Sequence, residues 1–383
     1  ARNMEVLQGR HWEGVELRAA DALHPETLAG ALEGADVAFY LVHSMAAGRH
    51  FARLDLEAAG NFARAAGSAG IKHIVYLGGL VPRDADSAHL VSRQQTGDRL
   101  RQGPVPVTEI RAGIIVGPGS AAFEVIRDLV NYLPVMVTPR WVKSKSPPIA
   151  LENLLEYLAR IPGTEGAAGK VFDATGPEIL SYAELMQQYG ELVNKHPVIV
   201  PVPVLTPGLS SYWLQLITAV PSNIARALIE GLKYDIVADG SALQALIPQH
   251  LLTYRESVRA ALEAERQHTT GGRWTEGALL FRDGNPRYSY HAKQASGSAV
   301  THAPPEAVWR EVAAIGGENR YYYLNMLWTI RETMDWMIGG PGLHHGRRHP
   351  TEVRLGDIID SWQVVDVESG KRLTLSFGMK APG

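Results

Sequence analysis

Two stretches of this sequence end in the residue type that leaves backbone bare for a ligand. His73–Leu80 reads HIVYLGGL, and Val105–Ser120 contains PVTEIRAGIIVGPGS. Each is a short apolar, β-branched run that breaks into glycine, and in an open α/β sheet such strand ends floor a ligand crevice. The histidines offer a second kind of chemistry. His43 ends an apolar run, but no histidine or carboxylate stands three or four residues on, so helical metal-ligand spacing is lacking. The run HHGRRH, His344–His349, has the composition to bind a metal or an anion. It follows a GGPG segment and has no acidic neighbour closer than Glu352, so a solvated basic loop is expected. The chain carries no GxSxG elbow, HExxH helix or P-loop. Its lack of cysteine excludes disulfides, thiolate metal sites and a cysteine nucleophile.

The elements that must hold these residues alternate along the chain. Val15–Ala20 is expected as a strand, HPETLAGALEG as a short helix and Val37–Val42 as the next strand. Phe51–Ala69 places Leu54, Ala58, Phe62 and Ala65 at helical spacing and meets Gly70 as a C-cap. Strands at Ile74–Leu77 and Val107–Val116 enclose a helix from Ser87 to Leu100, and a helix Ala121–Tyr132 follows. Beyond SKSPPIAL come a helix Glu152–Ile161 and a strand Lys170–Ala174. Ser181 is then an N-cap whose capping box closes at Glu184. Prolines keep Val198–Pro207 extended, and Leu209–Glu265 reads as mostly helical. Strand–helix alternation of this kind predicts a parallel, doubly wound Rossmann-like sheet.

Between Arg266 and Gly297 glycine, threonine, serine, asparagine and arginine dominate, which marks a linker. After it the pattern changes class: a strand near Ser298–His302, a helix Pro304–Ala314, and strands near Glu352–Leu355, Ile359–Val367 and Leu373–Met379. The last two flank ESGK, a hairpin-like turn, so a small α+β domain with an antiparallel sheet is expected. The boundaries are 1–265, 266–297 and 298–383.

Composition narrows the function class. With 45% hydrophobic and 20% charged residues, the 383-residue chain is an ordinary globular one, large enough for two or three domains. Its net charge of -3 gives no broad positive field, which argues against a nucleic-acid scaffold. No signal peptide and no apolar run of about 18 residues occurs, so the cytoplasm is the expected location. Tyr321–Ile338 is the longest apolar-rich stretch, but Arg331, Glu332 and Asp335 interrupt it, and a buried or amphipathic helix is expected rather than a membrane contact.

Four segments, AADALHPETLAGALEGADVAFYLVHS, AGIKHIVYLGG, SRQQTGDRL and VTEIRAGIIVGPGS, stand in an order and spacing that resembles the atypical, NmrA-like or extended short-chain dehydrogenase/reductases. That resemblance covers residues 1 to about 265. The tail from about Ser298, with THAPPEAVWREVAAIGGEN, is similar to the Bet v 1-like (SRPBCC) domain sometimes fused to such reductases in bacteria. In the family a first strand, a GxxGxxG turn and a helix come before the segment that opens here at Ala1, and the pyrophosphate rests on that turn. A long final helix closes Bet v 1-like cavities. The resemblance therefore implies a sequence truncated at both ends.

The resemblance also implies a cofactor, NADP or NAD, and a site. Arg2 matches a basic residue after the family's second strand, where a guanidinium grips a 2′-phosphate and favours NADP; the alternative is a solvated arginine. Asp21 and Ala22 match the turn that holds the adenine edge, and the same DALHPETL sequence suits an Asx turn or a helix N-cap. Leu41, Val42, His43 and Ser44 match the strand end beside the ribose. Gly78 and Gly79 stand where catalytic members carry a Ser or Thr hydroxyl, which is missing here. Where the family places a Tyr and a Lys four residues apart on one helix face, this chain has His89 and Arg93. The imidazole would donate a proton to a carbonyl and Arg93 would grip the ribose hydroxyls, or the helix is a surface element. Arg111, Ala112, Gly113 and Ile114 match the strand end beside the nicotinamide, with Gly113 open either to ring approach or to packing. Phe123, Arg140, Trp141, Tyr212 and Trp213 would frame a small apolar carbonyl or quinone-like substrate, and the C-terminal domain would take a hydrophobic ligand. The rival expectation is a catalytically silent NADP-binding sensor or assembly protein of the NmrA-like type.

Overall fold

The computed structural model describes Met4, Trp12 and residues 14–43, 51–82, 87–202, 234–266, 298–337 and 346–377, and all structural statements below concern these. The chain divides into two units, Ala1–Met4 with Glu16–Gln267 and Glu5–Val15 with His268–Gly383.

In the first unit the apolar runs find one another as parallel strands. β1 (Val37–Tyr40), β2 (His73–Gly79) and β3 (Val107–Ala112) pair in that order, and β8 (Val171–Ala174) closes the far side of β3. The register sets Tyr40 beside Tyr76, Tyr76 beside Glu109, and Gly78 beside Arg111, so these side chains share one face. Helices α1 (Leu28–Leu32) and α2 (Phe51–Ser68) cover that face, with Phe62, Ala59, Ala63 and Ala66 packed on Tyr40, Ile74 and Tyr76. The alanines let α2 approach closely, and Tyr40 fills the gap with its ring centroid 4.9 Å from that of Phe62. Each such fully buried large side chain contributes roughly 1.5–3 kcal/mol. α3 (Ala88–Arg101) lies against α2 and β2.

Between β3 and β8 the chain makes short connections. β4 (Ile115–Val116) pairs with β7 (Ile149–Ala150), and β6 (Lys145–Ser146) pairs with β9 (Leu180–Ser181). α4 (Ala121–Tyr132) leads to β5 (Val135–Pro139), which pairs in parallel with β10 (Val198–Val202). α5 (Leu151–Arg160) and α7 (Ser241–Leu246) cover the opposite sheet face, where Leu154, Tyr157, Leu158 and Leu243 bury Val75, Ile110, Phe172 and Ala174. α6 (Tyr182–Leu192) opens on the expected capping box: Ser181 Oγ accepts from the Glu184 N–H, and the Glu184 carboxylate accepts from the Ser181 N–H at 2.7 Å. α8 (Tyr254–Arg266) ends the described part of this unit. Helices on both faces of a parallel sheet make the doubly wound arrangement that the alternation requires.

One sequence expectation fails here. Val15–Ala20 forms no strand. Arg18 holds that segment instead, its guanidinium donating to the carbonyls of Gly30 at 2.7 Å and Glu33 at 2.9 Å. The segment Leu209–Glu265, read as mostly helical, holds two helices in its described part, Ser241–Leu246 and Tyr254–Arg266, and residues 234–240 and 247–253 are not helical.

In the second unit α9 (Pro305–Ala313) and α10 (Asn325–Met337) accompany an antiparallel sheet of β11 (Ile358–Ile359), β12 (Trp362–Glu368) and β13 (Arg372–Phe377). The ESGK turn joins β12 to β13, with Gly370 at φ 77°, a conformation glycine adopts without a Cβ penalty. Neither Ser298–His302 nor Glu352–Leu355 is a strand. The expected solvated basic loop is also corrected. Arg347 donates to the carbonyls of Ala313 at 2.7 Å and Ile315 at 2.5 Å, while Arg348 is buried against the Asp357 carboxylate at 3.1 and 3.2 Å. Those arginines staple the segment together, since a buried guanidinium requires partners for its donors. No helix among the described residues is long and apolar enough to cross a membrane.

Candidate functional site at the carboxyl edge of the parallel sheet

All four strands of the main sheet run the same way, so their carboxyl ends open on one edge. β1 runs out into Leu41, Val42 and His43; Leu41 and Val42 are 57% and 42% exposed, unusual for aliphatic side chains at a strand end. β2 ends at Gly78 and Gly79. A Cβ on Gly79 would rest in ordinary van der Waals contact with the Ala112 carbonyl and Arg93 Cγ, each at 4.0 Å.

Gly78 is different. A Cβ there would lie 2.6 Å from Glu109 Oε1, and one on Gly97 of α3 would lie 2.5 Å from Glu109 Oε2. The two glycines form a slot for this carboxylate, which is buried at 1% exposure. Arg111 Nε donates to Oε1 at 2.9 Å and Arg101 Nη1 donates to Oε2. The missing hydroxyl at Gly78 thus has a steric counterpart: the space a serine or threonine would need is filled by Glu109. Paired on both oxygens, the buried carboxylate offsets part of its desolvation cost.

α3 brings His89 and Arg93 over the same edge. Arg93 Nη2 donates to the Leu77 carbonyl at 2.9 Å, its guanidinium lies 5.7 Å from the Tyr76 ring centre, and Tyr76 OH donates to the Arg93 carbonyl at 2.9 Å. These contacts pin the first half of α3 to the end of β2. Burial brings the His89 imidazole down to about 4, with the positive charge of Arg93 and the neighbouring His43 adding to it. Desolvation likewise lowers His43, with Arg93 next and Asp55 opposing. Both imidazoles are therefore neutral at neutral pH, each carrying one N–H donor and one acceptor nitrogen. The His43 ring makes a hydrogen bond to its own backbone, and His89 has no hydrogen-bond partner among the described residues. The phenols nearby do not replace the family's tyrosine: burial raises Tyr40 and pushes Tyr76 up to about 12.

The remaining site candidates fall into two groups. Asp21 forms the Asx turn, its Oδ1 accepting from the Leu23 N–H at 2.9 Å, and the Ala22 carbonyl accepts from Asn61 Nδ2 at 3.0 Å. Ala112 and Ile114 are buried, with carbonyls taken by the N–H groups of Leu80 and Ile149. Gly113 faces protein, since its Cβ would meet Ser146 Oγ at 3.1 Å and Leu80 Cδ1 at 3.3 Å. This glycine serves packing. Phe123 is fully buried and packs edge-on against Tyr189 at 6.0 Å, so it is core rather than pocket wall, and Trp141 packs edge-on against Tyr182 at 5.9 Å. Arg2, Ser44, Tyr212, Trp213, His344, His345 and the Arg140 side chain lie outside the described residues. No group of three or more potential metal ligands occurs among the described residues.

Two features of this edge escape the sequence reading. Glu109 is one, and its signal is a charge in the middle of an apolar strand run. Asp55 is the other, a buried carboxylate on α2 that accepts from Ser92 Oγ of α3 at 3.1 Å.

Solved structures of known proteins share this fold. A Citrobacter sp. triphenylmethane reductase complexed with NADP(H) superposes with a TM-score of 0.52 at 22% identity, over 65% of this chain and 84% of that one. An Escherichia coli NADPH-dependent quinone oxidoreductase complexed with NADPH gives 0.54 at 20% identity, over 68% and 88%. A nucleoside-diphosphate-sugar epimerase from Staphylococcus aureus gives 0.53 at 15% identity, over 65% and 85%. No curated protein matches the chain in sequence. Residues 290–381 match the family described as protein of unknown function (DUF2867), and that match carries no Bet v 1-like assignment. What the first unit shares with these reductases and epimerases is a Rossmann-like α/β fold.

Proposed function

We propose that the chain is an NAD(P)-dependent oxidoreductase of the short-chain dehydrogenase/reductase type, acting on a small apolar carbonyl or quinone-like acceptor. The observation that supports it is the Arg93 guanidinium, held on the Leu77 carbonyl at the carboxyl edge of a parallel sheet, with the neutral imidazoles of His89 and His43 near its charge. The residues present fit the nicotinamide end of a dinucleotide: a glycine strand end at Gly79, exposed aliphatic surface at Leu41 and Val42, and N–H donors at three side chains. A reduced nicotinamide, when bound, supplies a hydride to the acceptor. Arg93, fixed by Leu77 and Tyr76, orients the ribose hydroxyls. His89 holds a proton at a ring nitrogen facing the acceptor oxygen, and His43 lies beside it as a second donor. Asp21 with the Ala22 N–H would meet the adenine, and Arg2 would select NADP. In this reading residues up to about 265 hold the cofactor. Residues 298–383 form a separate module for a hydrophobic ligand, a role that the aromatic trio of Tyr321, Trp328 and Trp362 supports.

A second reading, a catalytically silent NADP-binding sensor, is favoured by one specific observation: Glu109 fills the place beside Gly78 where catalytic relatives keep a hydroxyl. One experiment separates the two. The protein is titrated with NADPH and NADH, and absorbance is followed with a panel of carbonyls and quinones. Turnover on any acceptor supports the oxidoreductase; tight binding without turnover on all of them supports the sensor; no binding of either dinucleotide overturns both.

A further inference from the structure

In the second unit the chain from Gly316 into α10 holds apolar side chains out in solvent on a fixed frame. Arg320, Tyr322 and Leu324 have φ of 52°, 60° and 54°. Bulky L residues rarely adopt that conformation, and it persists only where surrounding contacts over-determine it. Those contacts are present. The Arg320 carbonyl accepts from the Gly316 N–H at 2.6 Å, and its guanidinium donates to the buried Glu332 carboxylate of α10 at 2.7 Å. Tyr321 turns inward: its hydroxyl accepts from Trp362 Nε1 at 2.8 Å, and its ring lies 4.7 Å from that of Trp328. Tyr322 OH donates to the Glu311 carbonyl of α9 at 2.9 Å. Held this way, Tyr322, Tyr323 and Leu324 stand 52%, 74% and 50% exposed. The first turns of α10 continue the surface with Met326, Leu327 and Ile330 at 73%, 51% and 50%.

Six exposed large apolar side chains within nine residues form a patch, and a patch of this kind on a fixed frame marks a docking surface. Its chemistry selects the occupant. No charged side chain occurs from Tyr321 to Ile330. At the two ends, Arg320 is paired with Glu332, and the Arg331 guanidinium lies 5.9 Å from the Trp328 ring centre. A lipid surface calls for cations that meet anionic headgroups, and a charged partner finds nothing here to read. An uncharged surface can face its own image without repulsion, as a twofold contact requires, because the same residues come from both sides. The area agrees. At roughly 200 Å² for each large side chain, these exposures leave on the order of 700 Å², near the roughly 800 Å² that each partner gives a standard interface. Met326, Leu327 and Ile330 stand at spacings of three and four, the ridge by which one helix packs on another. We propose that Tyr322–Ile330 is the docking surface for a second copy of this chain, pairing α10 with α10 about a twofold axis. Since the frame is already ordered, pairing sacrifices little conformational freedom.

The test is sedimentation of the full chain at micromolar concentration, with Met326→Glu/Ile330→Glu as the variant. Both positions are exposed in the single copy, so its fold should survive, and circular dichroism with a urea melt checks that. The wild type is expected to sediment at twice the 41.7 kDa of one chain. Like charges facing each other across the axis should weaken the pair about 100-fold or more, so that the variant sediments as one chain. Should the double variant lose its fold, Met326→Glu alone decides: a dissociation constant raised about tenfold or more supports the proposal, and an unchanged one overturns it. A wild type that sediments as one chain, or an assembly that the substitutions leave intact, also overturns it. Vesicles of phosphatidylcholine and phosphatidylserine test the other occupant. No cosedimentation is expected, and wild-type cosedimentation that the variant loses overturns the second copy in favour of a lipid surface. None of these readouts involves a dinucleotide, so their outcome is separate from that of the cofactor site.

Discussion

The two ends of the parallel sheet use histidine in opposite ways. At the amino edge, His73 opens β2 and is buried; its Nε2 lies 2.7 Å from Thr108 Oγ1, and that hydroxyl donates to the Ala167 carbonyl at 2.7 Å. Since the hydroxyl proton goes to Ala167, His73 must donate from Nε2, which fixes its tautomer. At the carboxyl edge His89 is also neutral, yet it has no hydrogen-bond partner among the described residues, and His43 bonds its own backbone. An imidazole bonded across two strands is structure, whereas one without such a bond beside a guanidinium is free to bind.

If this contrast is right, substitutions at the two ends separate function from stability. His89→Gln should cost turnover roughly 10²- to 10⁴-fold while moving unfolding stability by less than about 0.5 kcal/mol. Stopped-flow oxidation of NADPH reads the first and urea melts the second, and unchanged turnover would remove His89 as the proton donor. Glu109→Ala should do the reverse in kind. It strands Arg101 and Arg111 without their buried carboxylate and should lower stability by about 3–5 kcal/mol; a loss under about 1 kcal/mol would mean that the arginines find water cheaply and that α3 is held by its apolar contacts alone. Smaller again is Thr108→Val, which leaves the His73 Nε2–H unpaired while the Ala167 carbonyl keeps the Lys170 N–H at 3.3 Å. A loss of about 1–3 kcal/mol is expected from the orphaned imidazole donor, with NADH affinity unchanged by calorimetry. Weakened NADH binding in that variant would join the two ends and break the contrast.

Local pattern shows most of the scaffold and little of the contrast. The helix at Ala121–Tyr132, the strand at β2 and the Ser181/Glu184 capping box follow from periodicity and from contacts within a few residues. Where side chains rather than ladders hold the chain, the pattern misleads: Arg18 ties down the expected strand at Val15–Ala20, and Arg347 and Arg348 tie down the one at Glu352–Leu355. The site is harder to read because its meaning is tertiary. His73 and Thr108 are 35 residues apart in sequence, and Asp55 and Ser92 are 37 apart. The glycine slot is formed by β2 and α3, yet the carboxylate inside it comes from β3. Gly78 reads as a lost hydroxyl until Glu109 is seen beside it, and His43 reads as a metal ligand without partners until α3 brings His89 alongside.

The smallest expected effect tests both ends at once, through acid. Burial lowers His73, and desolvation lowers His43 and His89, the last to about 4. A histidine whose folded value lies below its unfolded value of about 6.5 binds its proton more weakly in the native state. Its contribution to stability is present above that unfolded value and is lost as pH falls toward the folded one. Stability should therefore decline between about pH 6.5 and 5, before most carboxylates titrate, with each histidine adding at most about 1.4 kcal/mol per pH unit. His73→Gln should remove one share of that slope. His89→Gln should remove a second share. Urea melts at pH 7.0, 6.0 and 5.0 on the two single variants and on the double variant read both shares. If the two shares fail to add in the double variant, the two ends are coupled, and the division between them does not hold.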